Sequence, residues 1–163
     1  EAKQWLEDHE RQKAAQFVIE GTPLAIAGDR EWLDHTKIFD TLDKIKSRFY
    51  DLYGDNLILY HKGDKWGVDA IAAAWAKARN VPQVVFAPNW RAYGRSAGFK
   101  AIDQMLDTPK PLGGVAIFGA SGIALNLADK AEAKGIKAMR VAPPEASDKP
   151  NGPTVVTKGK RRS

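Results

Sequence analysis

Three loops that contain glycine carry the charged and polar side chains best suited to holding an anionic ligand. Their residues are Gly28, Asp29 and Arg30 in the first loop, Lys62, Gly63, Gly67 and Asp69 in the second, and Gly119, Ser121 and Gly122 in the third. Glycine lets the backbone approach a ligand closely, a cation can neutralise phosphate, and aspartate can accept a hydrogen bond from a sugar hydroxyl. Each loop alone also fits an ordinary tight turn. The three together predict a site for a phosphate and a ribose.

The second and third loops also lead into predicted helices. Gly67 and Gly119 lie close to a helix start, where unpaired N–H groups and the positive end of the helix dipole favour an anion. Trp66 adds a ring on which a ligand can stack. His61 ends a predicted strand, a position where a histidine is more often structural than catalytic. These features strengthen the prediction of binding and assign no catalytic group.

The residue sets of familiar catalytic and cofactor sites do not occur in the sequence. The third loop lacks the Gly-Lys-Ser/Thr of a phosphate-binding P-loop, the Gly-x-Ser-x-Gly of a hydrolase and the Gly-x-Gly-x-x-Gly of a dinucleotide site. His9, His35 and His61 do not have the spacing of metal ligands, and the chain has no cysteine. We therefore predict no metal and no cofactor, and the catalytic residues remain unknown.

Short apolar segments alternate with amphipathic helical patterns along the chain. The predicted strands are residues 24–27, 57–60, 84–87, 115–118 and 137–141. Asp34 is placed to cap the helix after the first strand, and Trp75 is expected in the core of the alanine-rich helix after the second. Regular alternation of this kind predicts a Rossmann-like α/β three-layer sandwich with a parallel sheet of about five strands. Parallel strands deliver their following loops to one edge of the sheet, so the three loops should meet there.

The two ends of the chain differ in composition from its middle. We predict an N-terminal helix and linker at residues 1–21, the α/β domain at 22–142 and a flexible basic tail at 143–163. Lys158, Lys160, Arg161 and Arg162 supply four of the five net positive charges, so the domain itself is close to neutral. The absence of cysteine and of any apolar run of about 18–20 residues favours a cytoplasmic protein without membrane contact.

Several segments resemble the YspA-like branch of the SLOG superfamily. They are residues 27–32, 67–76, 81–90, 97–100, 105–106 and 122–131, and the similarity spans roughly residues 22–142. The superfamily also contains the Lonely Guy cytokinin-riboside phosphoribohydrolases and the DNA-uptake protein DprA. The resemblance implies a Rossmann-like fold with a site for nucleotides or their derivatives, used as a sensor or processing domain.

The chain departs from these relatives at positions that matter for catalysis. Relatives usually carry an Arg-Asn pair where this chain has Ala101 and Ile102, and a Pro-Gly-Gly or Pro-Gly-Ser loop at residues 119–121. The catalytic glutamate of the phosphoribohydrolases falls near Leu125 and Asn126, neither of which ionises. Glycosidic cleavage develops positive charge on the sugar and needs a carboxylate to assist it. The departures therefore argue against hydrolysis.

The leading hypothesis from the sequence is a module that binds a nucleotide or a nucleotide-derived small molecule. The first alternative is an N-glycosidase-type nucleotide hydrolase that uses Asp29 or Asp69 in place of the missing glutamate. The second is a nucleic-acid-binding adaptor like DprA, which would depend on the basic tail and weaken steeply with salt. Because Lonely Guy and DprA relatives are usually oligomers, the resemblance also implies a homo-oligomer.

Overall fold

The computed structural model describes residues 2–18 and 20–143. The helices are α1 (Ala2–Val18), α2 (His35–Tyr53), α3 (Gly67–Ala78), α4 (Trp90–Tyr93), α5 (Ala97–Leu106) and α6 (Gly122–Ala133), with a 3-10 turn at Gly94–Ser96. The strands are β1 (Thr22–Gly28), β2 (Leu57–His61), β3 (Gln83–Val85), β4 (Gly114–Phe118) and β5 (Ala138–Val141).

The five strands form one parallel sheet in the order β3-β2-β1-β4-β5. Strand β1 is central, and β2 and β4 pair with it on either side. The chain first builds outward from β1 to β3, then returns to the opposite side of β1 for β4 and β5. The reversal takes place beside β1, whose carboxyl end is therefore the topological switch point at which open α/β sheets bind ligands.

Two apolar cores cover the two faces of the sheet, and β1 contributes to both. Leu24 and Ile26 point to the face covered by α2 and α3, whereas Ala25 and Ala27 point to the face covered by α5 and α6. This division follows from the two-residue period of a strand. Trp75 is fully buried in the first core, as the sequence predicts. The predicted parallel sheet with helices on both faces is confirmed.

Local details confirm some expectations and correct others. The Asp34 side chain accepts the Lys37 N–H at 3.0 Å and caps α2 as predicted. Strand β3 begins and ends earlier than the predicted 84–87. The sequence indicates a loop at residues 88–91, but helix α4 begins there, because the Asn89 side chain accepts the Ala92 N–H at 3.0 Å and caps this extra turn.

The sequence places Ile38, Leu42, Ile45, Phe49 and Leu52 on one apolar side of α2, and all but Leu52 are buried. Tyr53 is 46% exposed, packs edge-on against Phe49 with ring centroids 5.2 Å apart, and donates its hydroxyl to the Gly113 carbonyl oxygen at 2.8 Å. The predicted boundaries of the α/β domain, after residue 21 and after residue 142, stay predictions. The predicted tail lies outside the described residues except for Pro143.

Candidate functional site at the carboxyl edge of the sheet

Asp29 joins the three glycine-bearing loops beyond the end of β1. Its N–H donates to the Phe118 carbonyl oxygen at 3.0 Å, and its own carbonyl oxygen accepts the Val68 N–H at 3.1 Å. Its carboxylate accepts the N–H groups of Ala120 and Ser121 at 3.2 and 3.0 Å. The first loop is therefore bonded to both of the others, and all three lie together at the carboxyl edge of the sheet.

Gly67 and Gly119 are required by contacts between these loops. Both have positive φ, +70° and +97°, a conformation that side chains disfavour. A Cβ on Gly67 would lie 2.3 Å from the Asp29 carbonyl oxygen, and one on Gly119 would lie 2.0 Å from the Asp29 carboxylate. The space that the sequence suggested for a ligand beside these two glycines is thus occupied by Asp29 itself.

The second loop contains a buried ion pair. The Lys62 ammonium lies 3.2 Å from Asp69 Oδ2, and the two side chains are only 6% and 1% exposed. The same oxygen accepts the Asp64 N–H at 3.4 Å. Lys62, which the sequence suggested as a cation for phosphate, is paired with Asp69 and also lies 3.5 Å from Asp64 Oδ2, and its binding role stays a prediction. The other carboxylate oxygen, Asp69 Oδ1, is buried and has no hydrogen-bond partner among the described residues.

His61 holds the second loop against β3. Its Nδ1 accepts the Gly63 N–H at 3.0 Å, so Nε2 carries the proton that it donates to Gln83 Oε1 at 2.8 Å. Both ring nitrogens are engaged and the side chain is buried. His61 is therefore a structural residue, and Gly63 lies on the β3 side of the edge, against Val85.

The first turn of α6 contains two N–H groups without an acceptor among the described residues. The Ser121 hydroxyl caps the helix by accepting the Ala124 N–H at 3.2 Å. Within the described chain, the N–H groups of Gly122 and Ile123 have no acceptor. A Cβ built on Gly122 would meet nothing within 4 Å, so the space beside it is open. With the exposed Arg30 on the first loop, these groups form the open part of the edge.

A cleft on the α2–α3 side of the same edge was not predicted from the sequence. It has a volume of about 460 Å³, and the first loop, the second loop and the two helices line it. Trp32, Leu33 and Trp66 are among its lining residues. Sequence reasoning noted Trp66 for stacking but missed Trp32 and Leu33, because only the folded loops bring these residues beside Trp66.

The described residues contain neither a cluster of three or more metal-ligating side chains nor a helix long and apolar enough to cross a membrane. The four residues that the resemblance singled out as departures, Ala101, Ile102, Leu125 and Asn126, differ in burial. Ala101 and Ile102 are buried in the core beneath α5, Leu125 is exposed on α6 and Asn126 is half-buried. No ionisable side chain occupies any of these four positions.

The parallel sheet with its switch point at β1, and the loops joined beyond that strand, define a Rossmann-like α/β protein. Comparison with known families gives a match to part of the chain. Residues 22–93, a little under half of the chain, match the family described as YspA, cpYpsA-related SLOG family. The match supports membership of this YspA-like SLOG family and confirms the resemblance over these residues. No curated protein and no solved structure gives a significant match.

Proposed function

We propose that this domain binds a nucleotide or a nucleotide-derived molecule at the carboxyl edge of its sheet, as a sensor or processing module. Membership of the YspA-like SLOG family supports a nucleotide-related function in general. The observation that carries the specific proposal is the open first turn of α6, where the unused N–H groups of Gly122 and Ile123 lie on the same edge as Arg30. Helix N-termini of this kind bind phosphate.

Two aspartates support a role for ribose in the same ligand. Asp29 is half-buried at the centre of the edge, so its carboxylate borders the open first turn of α6. Asp69 Oδ1 is a buried charged oxygen without a hydrogen bond, a condition that costs about 1–3 kcal/mol or more. The Asp29 oxygen Oδ1 accepts both loop N–H groups, which leaves Oδ2 as the acceptor proposed for a ribose hydroxyl. Arg30, Asp29 and the α6 amides together provide donors for phosphate and acceptors for sugar.

Binding is favoured over hydrolysis because the carboxylates are already engaged. The hydrolase alternative needs Asp29 or Asp69 to move a proton at the glycosidic bond. The Asp29 carboxylate holds the Ala120 and Ser121 N–H groups, and Asp69 is the counterion of buried Lys62. Each carboxylate therefore stabilises the loop structure. The nucleic-acid alternative depends on a tail outside the described residues, and the geometry of the edge does not favour it.

The proposal is tested by titrating adenosine monophosphate and ADP-ribose into the wild-type protein and into Arg30→Ala. Loss of a charge-assisted hydrogen bond to phosphate should weaken binding by about 1.5–3 kcal/mol. The melting temperature should change little, because an exposed arginine contributes little to folding. Arg48→Ala is the matched control, since Arg48 is an exposed arginine on α2, a helix that forms no part of the open first turn of α6.

Binding that is equal in wild type, Arg30→Ala and Arg48→Ala would remove Arg30 from the site. Absence of any binding to the wild type, by calorimetry and by thermal shift, would contradict the proposed function. Thermal shift is informative here because a ligand that binds only the native state raises its stability by mass action.

A further inference from the structure

We infer that the cleft between the first loop and helix α3 is the subsite for the base of the nucleotide, with Trp66 as its stacking surface. The inference rests on the proposed function and adds which end of the ligand lies on which face of the sheet. The cleft has a volume of about 460 Å³, and its lining includes Trp32, Leu33, His35, Phe39, Trp66 and Gly67. This lining is mostly apolar and aromatic, as the pocket of a planar heteroaromatic ring should be.

The two tryptophans of the cleft have different surroundings. Trp32 is buried, packs edge-on against Phe118 at 5.6 Å and donates its Nε1–H to the Asp34 carbonyl oxygen at 3.0 Å. Trp66 is 64% exposed, and it stands at the cap position of α3 without making a capping hydrogen bond. Trp32 therefore shapes the wall of the cleft, whereas the ring of Trp66 remains accessible to a stacking partner.

Leu33 adds a second exposed apolar side chain at the rim of the cleft, where it is 82% exposed. Leu33 and Trp66 come from different loops that Asp29 holds together through the bond from the Val68 N–H to its carbonyl oxygen. Apolar surface on both sides of a cleft is covered when a flat ring enters between them, and a base supplies such a ring without needing a specific hydrogen bond.

The cleft and the open first turn of α6 lie on opposite sides of Asp29. The cleft lies on the face covered by α2 and α3, and the open first turn of α6 lies on the opposite face. Asp29 follows the central strand between these faces and is bonded to residues on both sides. A base in the cleft would therefore place its ribose over Asp29 and its phosphate at Gly122 and Ile123.

The test measures binding of two probes, adenosine monophosphate and ribose 5-phosphate, by titration calorimetry. The proteins are the wild type, Trp66→Ala, Trp66→Phe and Trp90→Ala. Trp90 is the matched control because it is 60% exposed and does not line the cleft. Circular dichroism and melting temperature show whether each variant is folded.

Removal of the stacking surface in Trp66→Ala should weaken adenosine monophosphate binding by about 5- to 100-fold, as for a base stacked on an aromatic ring. Ribose 5-phosphate binding should change by less than about twofold in the same variant, since it has no base. Trp66→Phe should keep most of the affinity for adenosine monophosphate, and Trp90→Ala should keep all of it.

Equal affinity of the wild type for the two probes, with loss of both in Arg30→Ala, would overturn the base subsite and leave the proposed function standing. Equal effects of Trp66→Ala and Trp90→Ala on adenosine monophosphate would also overturn the subsite. If neither probe binds the wild type, both the subsite and the proposed function are overturned.

Discussion

The two ends of helix α3 each carry an ion pair, and the pairs differ in how completely their hydrogen bonds are satisfied. At the C-terminal end, Arg79 donates to both Asp43 oxygens at 2.9 and 3.1 Å, and Asp43 also accepts the Trp75 Nε1–H at 2.8 Å. This pair is about two-fifths exposed. At the N-terminal end, Lys62 and Asp69 are almost fully buried, and Asp69 Oδ1 has no partner in the described chain.

The difference separates an exposed ion pair whose hydrogen bonds are satisfied from a buried pair that leaves one carboxylate oxygen without a partner among the described residues. Arg79 and Asp43 satisfy each other on the surface and connect α2 to α3. Burying a lysine and an aspartate costs several kcal/mol of desolvation, and an unused oxygen adds to that cost. Incomplete polar networks of this kind are found at functional sites, where strain is tolerated because the ligand relieves it. The N-terminal end of α3 is also the end that faces the cleft and Asp29.

The largest effect on the free energy of unfolding is expected when the buried pair of Lys62 and Asp69 is broken. Asp69→Ala leaves the buried Lys62 ammonium with only the more distant Asp64 carboxylate, at 3.5 Å, and should lower the free energy of unfolding by up to about 3–5 kcal/mol. Denaturation in urea with near- and far-ultraviolet circular dichroism measures the loss. The double variant Lys62→Met/Asp69→Leu removes both charges and should recover most of the stability. A double variant as unstable as the single one would show that the charge pair is not the cause.

A smaller loss of stability is expected when the contact between Gly119 and Asp29 is disturbed. Gly119→Ala puts a Cβ into the Asp29 carboxylate at a φ of +97° and should cost about 1–3 kcal/mol. Gly122→Ala is the matched control in the same loop, because its Cβ would lie in open space. It should be neutral or stabilising by up to about 1 kcal/mol. Equal melting temperatures for the two variants would contradict the tight contact between the loops.

The smallest loss of stability is expected for the exposed ion pair of Arg79 and Asp43, at the C-terminal end of α3. Hydrogen bonds from Arg79, and then from Trp75, lower the pKa of Asp43 below its ordinary value of 3.8. A depressed pKa in the folded state stabilises the protein above the ordinary value, and this stabilisation is lost as the pH falls through the folded-state pKa. Asp43→Asn keeps an oxygen for Trp75 and should cost no more than about 1 kcal/mol at pH 7, because the pair is solvent-exposed.

The difference between wild type and Asp43→Asn should therefore shrink below about pH 4 and vanish at lower pH, when Asp43 is protonated. Urea denaturation at pH 7, 5 and 3 measures this trend. A cost that is the same at all three values would mean that the charge of Asp43 contributes nothing and that the loss reflects packing alone.

Much of the fold could be predicted because the sequence patterns that indicate its strands and helices involve residues close together in the chain. Strand β1 alternates between two apolar faces, α2 begins with the Asp34 cap, and Trp75 falls on the inner side of an alanine-rich helix. The order of the strands could not be predicted, since the direction of each crossover depends on packing between distant segments. Helix α4 carried a usable signal, the Asn89 cap, which sequence reasoning interpreted as part of a loop.

The meeting of the three loops at one edge was predictable, but the hydrogen-bond and ion-pair partners of their residues were not. Parallel strands determine that the loops meet at one edge, and the residues were assigned to those loops correctly. The sequence could not show that Asp29 bonds to Ala120 and Ser121, about ninety positions away, or that Lys62 is paired with Asp69. Such pairings depend on the tertiary approach of loops. The binding roles of the predicted residues remain predictions.

We propose that a nucleotide binds at the carboxyl edge, over Asp29, between the cleft and the first turn of α6. The most direct measurement is a titration of the ¹⁵N-labelled protein with adenosine monophosphate, followed by amide and indole N–H chemical shifts. Saturable shifts are expected at the Gly122 and Ile123 amides and at the Trp66 indole, with little change at Gly21 and Gly113 near the opposite edge. Shifts confined to that opposite edge, or no saturable shift at millimolar ligand, would contradict it.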